Sequence, residues 1–483
     1  VNELSAEIAG LNERIRDTVV HNGQASDLID QRMHALRELA ALTPIHVVYD
    51  DLGRADVRAG GLLLVSKDDA TPLALGDDAE TLAVRIGSAE GRRFQALGGE
   101  IGALLDVANR VAPEHQARLD ALAATIAREV NRLHSTGLGR QGGFEQLTST
   151  VHLDEGRPLS EAGLPFDLNP GDLVLSLRDV STGEVTQTRV TFDPATHTLA
   201  DLAAALDAVD HLTARAGSGR LQLSADAGYT FDATNRAPTA PGDLGGSAVA
   251  LTGNVSLDAD DTYTFTASGD GTIGTTAALT VTVTDAAGLT VAELDVGPDY
   301  EPGTLLDLPG GVAVGFGPGA VTAGDSLTVD LVAEPDAQGL FAALGLNTLF
   351  RGTTAAGIRV EPAVVADPGL VAAGRSNAAS DGSNARRLAA VQEASLASLG
   401  GETVDGAYAD LIGQVGLDSQ MAQRSATTAG LQRDAAENQR DAVSGVNQDE
   451  EAVDLLRHQQ LYTFASRYIQ TINGLLGDLM DIL

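Results

Sequence analysis

Leu4, Ile8, Leu11 and Ile15 recur at steps of four, three and four, which sets them on one stripe of a helix and turns Glu3, Glu7, Glu13 and Arg14 away from it. The pattern breaks at His21-Asn22-Gly23, and Ser26 is the expected N-cap of a second helix that runs through Ala41 and stops before Pro44. A helical hairpin is therefore expected. In residues 45–66, IHVVYDDLGRADVRAGGLLLVS, alternating and β-branched positions flank Asp51-Leu52-Gly53, which predicts one small β-hairpin resting on the helices. Helical spacing resumes in EIGALLDVANRVA. Pro113, at a first helical position, then opens a further helix with Leu119, Leu122, Ile126, Val130 and Leu133 on one face.

From about Gly143 the period changes from helix to strand. DLVLSLRDVSTGEVTQTRVTF reads as a hairpin turning at Ser181-Thr182-Gly183, TLADLAAALDAV as a short helix, and LTARAGSGRLQLSA as a hairpin turning at Gly217-Ser218-Gly219. After Arg236 come short Thr- and Val-rich strands such as TYTFTAS and ALTVTVTDAAGLTVAEL, out to about Pro335, which predicts an inserted β-sandwich-like domain. LFAALGLNTLFRG then finishes the earlier module, and helix returns from about Asn384, with Ala407, Leu411, Val415, Leu417 and Met421 as a sparse apolar stripe. The expected architecture is a multidomain α+β chain, elongated, with helical parts at both ends lying side by side and β structure between them. Its domains are 1–145, helical with a β-hairpin; 146–236 plus 336–370, a middle α+β domain; 237–335, an all-β insert; 371–444, helical; and 445–483, a terminal coiled-coil helix.

The last stretch carries two apolar seams. Leu455, Tyr462, Ile469, Leu476 and Leu483 repeat every seventh residue, while Leu461, Ala465, Tyr468, Ile472, Leu475, Leu479 and Ile482 follow alternating steps of four and three. The seams lie on adjacent faces, so the stripe is too wide for a simple two-stranded packing and requires several neighbours. A core helix of an ordinary bundle and a helix that is covered only by other subunits both fit this pattern.

Charge narrows the partners. The 483 residues carry a formal net charge of -36 at a pI near 4.4, which argues against nucleic acid, whose phosphates need a basic surface. Lys67 is the sole lysine, and no basic residue stands between Arg236 and Arg351. Cysteine is absent, which removes disulfides, thiolate nucleophiles and Cys-ligated zinc together. No run is long and apolar enough to predict membrane insertion. The chain opens at Val1 already in helical register, and a preceding segment is expected.

Signals for catalysis or cofactor binding are weak. GLGRQG at 137–142 satisfies G-x-G-x-x-G but follows a helix rather than a strand, so a loop is expected there. His46, His134 and His152 lack metal-ligand spacing. Asp258, Asp260 and Asp261 form an acidic turn without the glycine and closing glutamate of an EF-hand. No catalytic, cofactor or metal site is expected.

The C-terminal residues carry a resemblance. Gly445, Val446 and Asn447, then Asp449, Glu450 and Glu451, then Gln459 and Gln460 with Tyr462 and Ala465, resemble the carboxyl-terminal signature of the flagellar hook and rod axial proteins. His458 and Leu461 depart from that family's usual Tyr-Gln-Gln-Ala-Tyr. VNELSAEIAGLNERI, ASDLIDQRMHALRELA, residues 98–137 and LGLNTLFRG narrow the resemblance to the hook-associated protein 1 branch, the first hook–filament junction proteins; residues 238–335 lie outside it.

The resemblance implies a structural, non-enzymatic protein without cofactors, exported through the flagellar channel and assembled extracellularly as a short zone between hook and filament. The implied partners are copies of itself, hook protein, a filament-side junction protein or flagellin, and an export chaperone. The implied subunit-interface residues are Leu455, Gln459, Gln460, Tyr462, Ala465, Tyr468, Ile469, Ile472, Leu476, Leu479 and Leu483. Asp449, Glu450 and Glu451 fit either the macrodipole preference of a helix start or direct partner contact. Two other readings stay open, another axial subunit of hook or filament type and a secreted adhesin that uses the acidic insert to bind glycans.

Overall fold

The computed structural model describes residues 1–21, 25–78, 81–95, 98–169, 171–376, 378, 380–444 and 448–482. Helices and several antiparallel sheets make a mixed α+β chain in two units, Val1–Ala409 and Asp410–Leu483.

Helices Asn2–Val20 and Ser26–Leu42 open the first unit, and their stripe is covered as the spacing requires: Ile8, Ile15 and Leu39 are fully buried, with Ile8 and Leu39 sharing a core with Val57 and Val65. Asn12 interrupts that stripe yet is buried. Its Nδ2 donates to Ala55 O (2.8 Å) and Lys67 O (2.6 Å), and its Oδ1 accepts from Ala55 N (2.9 Å) and Arg32 Nη1 (2.9 Å), so each polar atom is satisfied. Ala25, not Ser26, occupies the N-cap position, without a side-chain cap; Asn22 and Gly23 of the expected break lie outside the described residues.

The single hairpin expected over 45–66 is instead part of a four-stranded meander, Ile45–Tyr49, Ala55–Ala59, Leu62–Ser66 and Asp69–Ala70, followed by a second hairpin of Leu73–Asp78 with Thr81–Ile86. The cause is Gly60-Gly61. Both have positive φ (54° and 76°), the primed-turn geometry that matches strand twist, so the apolar run folds back at its midpoint. A Cβ on Gly60 would lie 2.5 Å from the Gln95 carbonyl oxygen, which leaves glycine as the residue that fits.

Pro113 does not divide two helices as expected. Gly99–Asp106 passes through a π-turn, Val107–Val111, directly into Ala112–Ser135. A wider turn ahead of the proline accommodates its ring and missing N–H without a break.

In the middle region, Asp172–Asp179 pairs with Val185–Thr191 and with Tyr229–Asp232, while Arg220–Ala225 lies between Leu212–Gly217 and Gln146–Thr148. Helix Leu199–Asp207, started by a reciprocal Thr198–Asp201 capping box, buries Leu199, Leu202 and Leu206 against both sheets. Helix Leu340–Leu344, buried at all five positions, returns to this same core from far along the chain.

Between these passes two four-stranded sheets enclose a second core. One comprises Gly242–Leu244, Ser247–Gly253, Val312–Phe316 and Leu306–Leu308; the other Thr290–Asp295, Thr280–Thr284, Asp261–Ala267 and Ser326–Leu331. Alternation decides the faces: Tyr263, Phe265 and Ala267 point inward, where Phe265 meets Phe316 edge-on at 6.2 Å, and Thr262, Thr264 and Thr266 point out. The second unit holds most of helix Val404–Ser444 and all of helix Gln448–Ile482. Among the described residues no helix is long and apolar enough to cross a membrane.

Candidate assembly interface

Helix Gln448–Ile482 has no proline and a long run of residues compatible with helix, so it extends without interruption. Its apolar side chains are uncovered in the single chain. Leu455, Tyr462, Tyr468, Ile469 and Leu476 are all more than half exposed, Tyr462 most of these at 76%, and Ile472 stands at 39%. Gln459, Gln460, Ala465 and Glu451 are exposed as well. Gly445, Val446, Asn447 and Leu483 lie outside the described residues, as do the side chains of Asp449, Glu450 and Leu479.

Phe464 was not among the sequence candidates although it is 72% exposed. At 3.6 residues per turn it falls about 160° from Tyr462 and beside Tyr468 and Leu475, so the apolar belt wraps over roughly half of the helix. Neither heptad seam contains it, and counting seams alone hides it. In helix Val404–Ser444, Val415, Leu417 and Met421 are exposed and Leu411 is buried.

The last turn of Ala112–Ser135 is the opposite kind of surface, a polar junction in which Asn131, His134 and Asn384 are buried. Asn131 Oδ1 accepts from Leu349 N (3.0 Å) and Phe350 N (2.8 Å) while its Nδ2 donates to Phe350 O (2.8 Å). His134, fully buried, places Nδ1 2.8 Å from Asn347 O and accepts from Ala372 N at Nε2 (3.0 Å), which fixes the neutral Nδ1–H tautomer. Burial holds this imidazole below its ordinary pKa, partly offset by the Asn347 carbonyl. Asn347 has φ 48° and donates Nδ2 to the carbonyls of His134 and Gly137 (both 3.1 Å), joining Gly137 N, which also donates to His134 O (3.1 Å), at the helix end. Asn384 donates Nδ2 to Leu133 O (2.9 Å) and Ala372 O (2.8 Å).

The sequence motif 137–142 belongs to this junction and not to a nucleotide site. Leu138 N and Arg140 N donate to Gly374 O and Gly369 O, each at 2.8 Å, so those amides have backbone partners. Gly137 is needed for close packing, since a Cβ there would sit 2.3 Å from Asn384 Nδ2. The acidic turn is likewise structural: Asp260 Oδ1 accepts from Ala333 N (2.8 Å), and Asp261 Oδ1 accepts from Thr262 N (2.8 Å) and Ala286 N (3.0 Å). Among the described residues, no three His, Asp or Glu side chains are grouped to hold a metal ion. His46 and His152 are exposed and far apart in the chain.

Residues 1–146 match the family described as the flagellar hook-associated protein FlgK helical domain. Flagellar hook-associated protein 1 of Escherichia coli is 29% identical over 161 residues, 31% of this chain and 29% of the relative; that of Bacillus subtilis is 33% identical over 126 residues, 26% and 25%. The chain thus matches less than a third of the length of either relative. The flagellar hook junction protein FlgK from Burkholderia pseudomallei, a solved structure, is 19% identical with a TM-score of 0.40 over 91% of this chain and 82% of that one. The resemblance read from the sequence to the hook-associated protein 1 branch is borne out by the family match and by the names of the relatives.

Proposed function

We propose that this chain, whose first 146 residues match the FlgK helical domain, is a structural component of the bacterial flagellum that is exported and assembled at the boundary between hook and filament. The observation that carries the reading is the dense, uncovered apolar belt of Gln448–Ile482, in contrast with the buried stripe of helix Asn2–Val20. Exposed large apolar side chains in such density mark a surface awaiting a partner. Leu455, Tyr462, Ala465, Tyr468, Ile469, Ile472 and Leu476, together with Leu479 and Leu483 and the flanking Gln459 and Gln460, would pack against neighbouring subunits, including copies of this chain, and against hook and filament-side proteins. Burial of that belt on assembly would couple ordering to binding, and an export chaperone would shield it beforehand. The role is structural, without a cofactor. Asp449, Glu450 and Glu451 would complement the dipole at the start of the assembling helix.

The test is deletion of residues 446–483 combined with immunogold labelling of intact cells by antibody against residues 237–335. Full-length protein is expected as one narrow band at the hook–filament boundary. The deletion is expected to lose the band while the β regions stay folded. Label along the whole filament, or filament growth supported by the truncated chain, would reject the proposal.

A further inference from the structure

Residues 237–335 leave the middle core and return to it through two passes, 232–236 and 332–338; the first buries an ion pair, and the second buries Asp336 beside the partly exposed, ion-paired Glu334. On the outward pass Asp232 and Arg236 are buried and ion-paired; Asp232 Oδ1 also accepts from Thr234 N (3.0 Å) and Thr234 Oγ1 (2.6 Å), and Arg236 Nε donates to Thr234 Oγ1 (3.1 Å). This knot is fastened to the edge strand Val185–Thr191, because Gln187 Nε2 donates to Arg236 O (2.6 Å) and Val185 N donates to Thr239 Oγ1 (2.8 Å).

On the return pass Glu334 Oε2 accepts from Arg132 Nη1 at 2.6 Å, and its Oε1 lies 3.7 Å from Arg387 Nη2, so one carboxylate is held between two other helices, Ala112–Ser135 and Ser383–Ala390. Two residues later the buried Asp336 accepts from Leu340 N and Phe341 N, both at 2.8 Å, while Val174 N donates to Pro335 O (2.7 Å). Asn235 Nδ2 donates to Val255 O (2.6 Å), tying the outward pass to the first turns of the insert. Neither pass contains glycine, and Pro238 and Pro335 restrict φ beside or within them.

Flexible connections between domains are solvated and rich in Gly and Ser. This one has neither property. We propose that the neck is a locked joint, in which the Asp232–Arg236 knot and the Arg132–Glu334–Arg387 clasp hold residues 237–335 at one fixed angle to helix Ala112–Ser135. A cleft of about 320 Å³ beside the neck, lined by Val174, Val185, Gln187, Pro238, Thr328 and Val332, gives the insert room to rotate once the clasp is opened.

The absence of cysteine makes the measurement direct. Ala117→Cys, exposed on helix Ala112–Ser135, and Ala287→Cys, exposed in a turn of the insert, would carry spin labels in the full chain for pulsed-EPR distances. The expected result is one narrow distance distribution. Glu334→Arg, which sets a third guanidinium against Arg132 and Arg387 at a partly exposed site, is expected to broaden it or add a second distance, with circular dichroism unchanged. Salt of about 1 M should broaden the unsubstituted distribution in the same direction, through screening of the half-exposed clasp. Asp232→Asn is the more drastic variant, and Glu334→Arg keeps the test decisive where Asp232→Asn unfolds. A broad distribution in the unsubstituted neck, or one that Glu334→Arg leaves narrow and unshifted, would overturn the proposal.

Discussion

Helix Asn2–Val20 and helix Gln448–Ile482 both carry an apolar stripe, and the two stripes have opposite fates. Ile8 and Ile15 of the first are wholly buried, while Tyr462, Tyr468 and Leu476 of the last remain more than half exposed. The first stripe is one face wide, and helix Ser26–Leu42 together with the four-stranded meander of residues 45–70 supplies its cover. The last is roughly half a circumference wide, more than one neighbouring element could enclose. Width, and not merely the presence of an apolar stripe, separates the stripe that its own core covers from the belt that stays exposed in the single chain.

Truncation should break this contrast most visibly on the buried side. Ile8→Ala is expected to lower the unfolding free energy of the Val1–Ala409 unit by roughly 2–5 kcal/mol, the range for a large aliphatic side chain deleted from a packed core. Urea denaturation followed by circular dichroism checks it, and a loss under about 0.5 kcal/mol would mean that the stripe is not sealed.

The polar junction should respond more weakly. Asn131→Ala removes the acceptor of the partly buried amides of Leu349 and Phe350 and is expected to cost about 1–3 kcal/mol, the range for a buried group left unsatisfied. Proteolysis near residues 347–350 should accelerate in this variant and not in an exposed-site control such as Gln459→Ala.

Two buried titratable groups of this unit sharpen the contrast through pH, with opposite signs. His134 has its pKa lowered by burial, so its contribution to stability is present above the ordinary histidine value of 6.5 and is lost as pH falls through its lower folded value. Asp336 is pushed up from 3.8 to about 6 by burial, against the amides of Phe341 and Leu340, which favour its charged form; its contribution is full below 3.8 and is lost as pH rises through about 6. His134→Gln is therefore expected to flatten the acid-side loss of stability below pH 6.5, and Asp336→Asn to remove the loss between about 4 and 6. Unfolding midpoints measured across that range in both variants provide the check, and parallel curves would contradict the assignment.

The smallest expected effect on the isolated chain is at the exposed end of the comparison. Tyr462→Ala should change its unfolding free energy by no more than about 0.5 kcal/mol, as for other surface substitutions, while abolishing complementation of motility in cells lacking the chromosomal copy. Loss of fold with retained motility would invert the assignment of this face.

The apolar belt of the last helix was legible in the sequence because the angular position of each side chain on a helix follows directly from the period, while its exposure is decided by what packs against it. Phe464 was missed because it falls outside both heptad seams. The junction at the end of Ala112–Ser135 was hidden for a different reason. The stretches NRLHSTG and LGLNTLF each stood out, but nothing local states that Asn131, His134 and Asn347 bond across more than two hundred residues.

The sequence by itself determined the helical stripes, the turns at 181–183 and 217–219, the inward and outward alternation of the insert and the acidic, lysine-poor surface, because each follows from side-chain spacing or backbone preference over a few residues. Tertiary structure alone decided that Gly60-Gly61 divides a strand, that Pro113 is absorbed by a π-turn, that residues 340–346 complete a core begun near residue 147, and that two ionic knots clasp the neck. Those outcomes depend on what another part of the chain places opposite: the Gln95 carbonyl for Gly60, Arg132 for Glu334, the Asn347 carbonyl for His134.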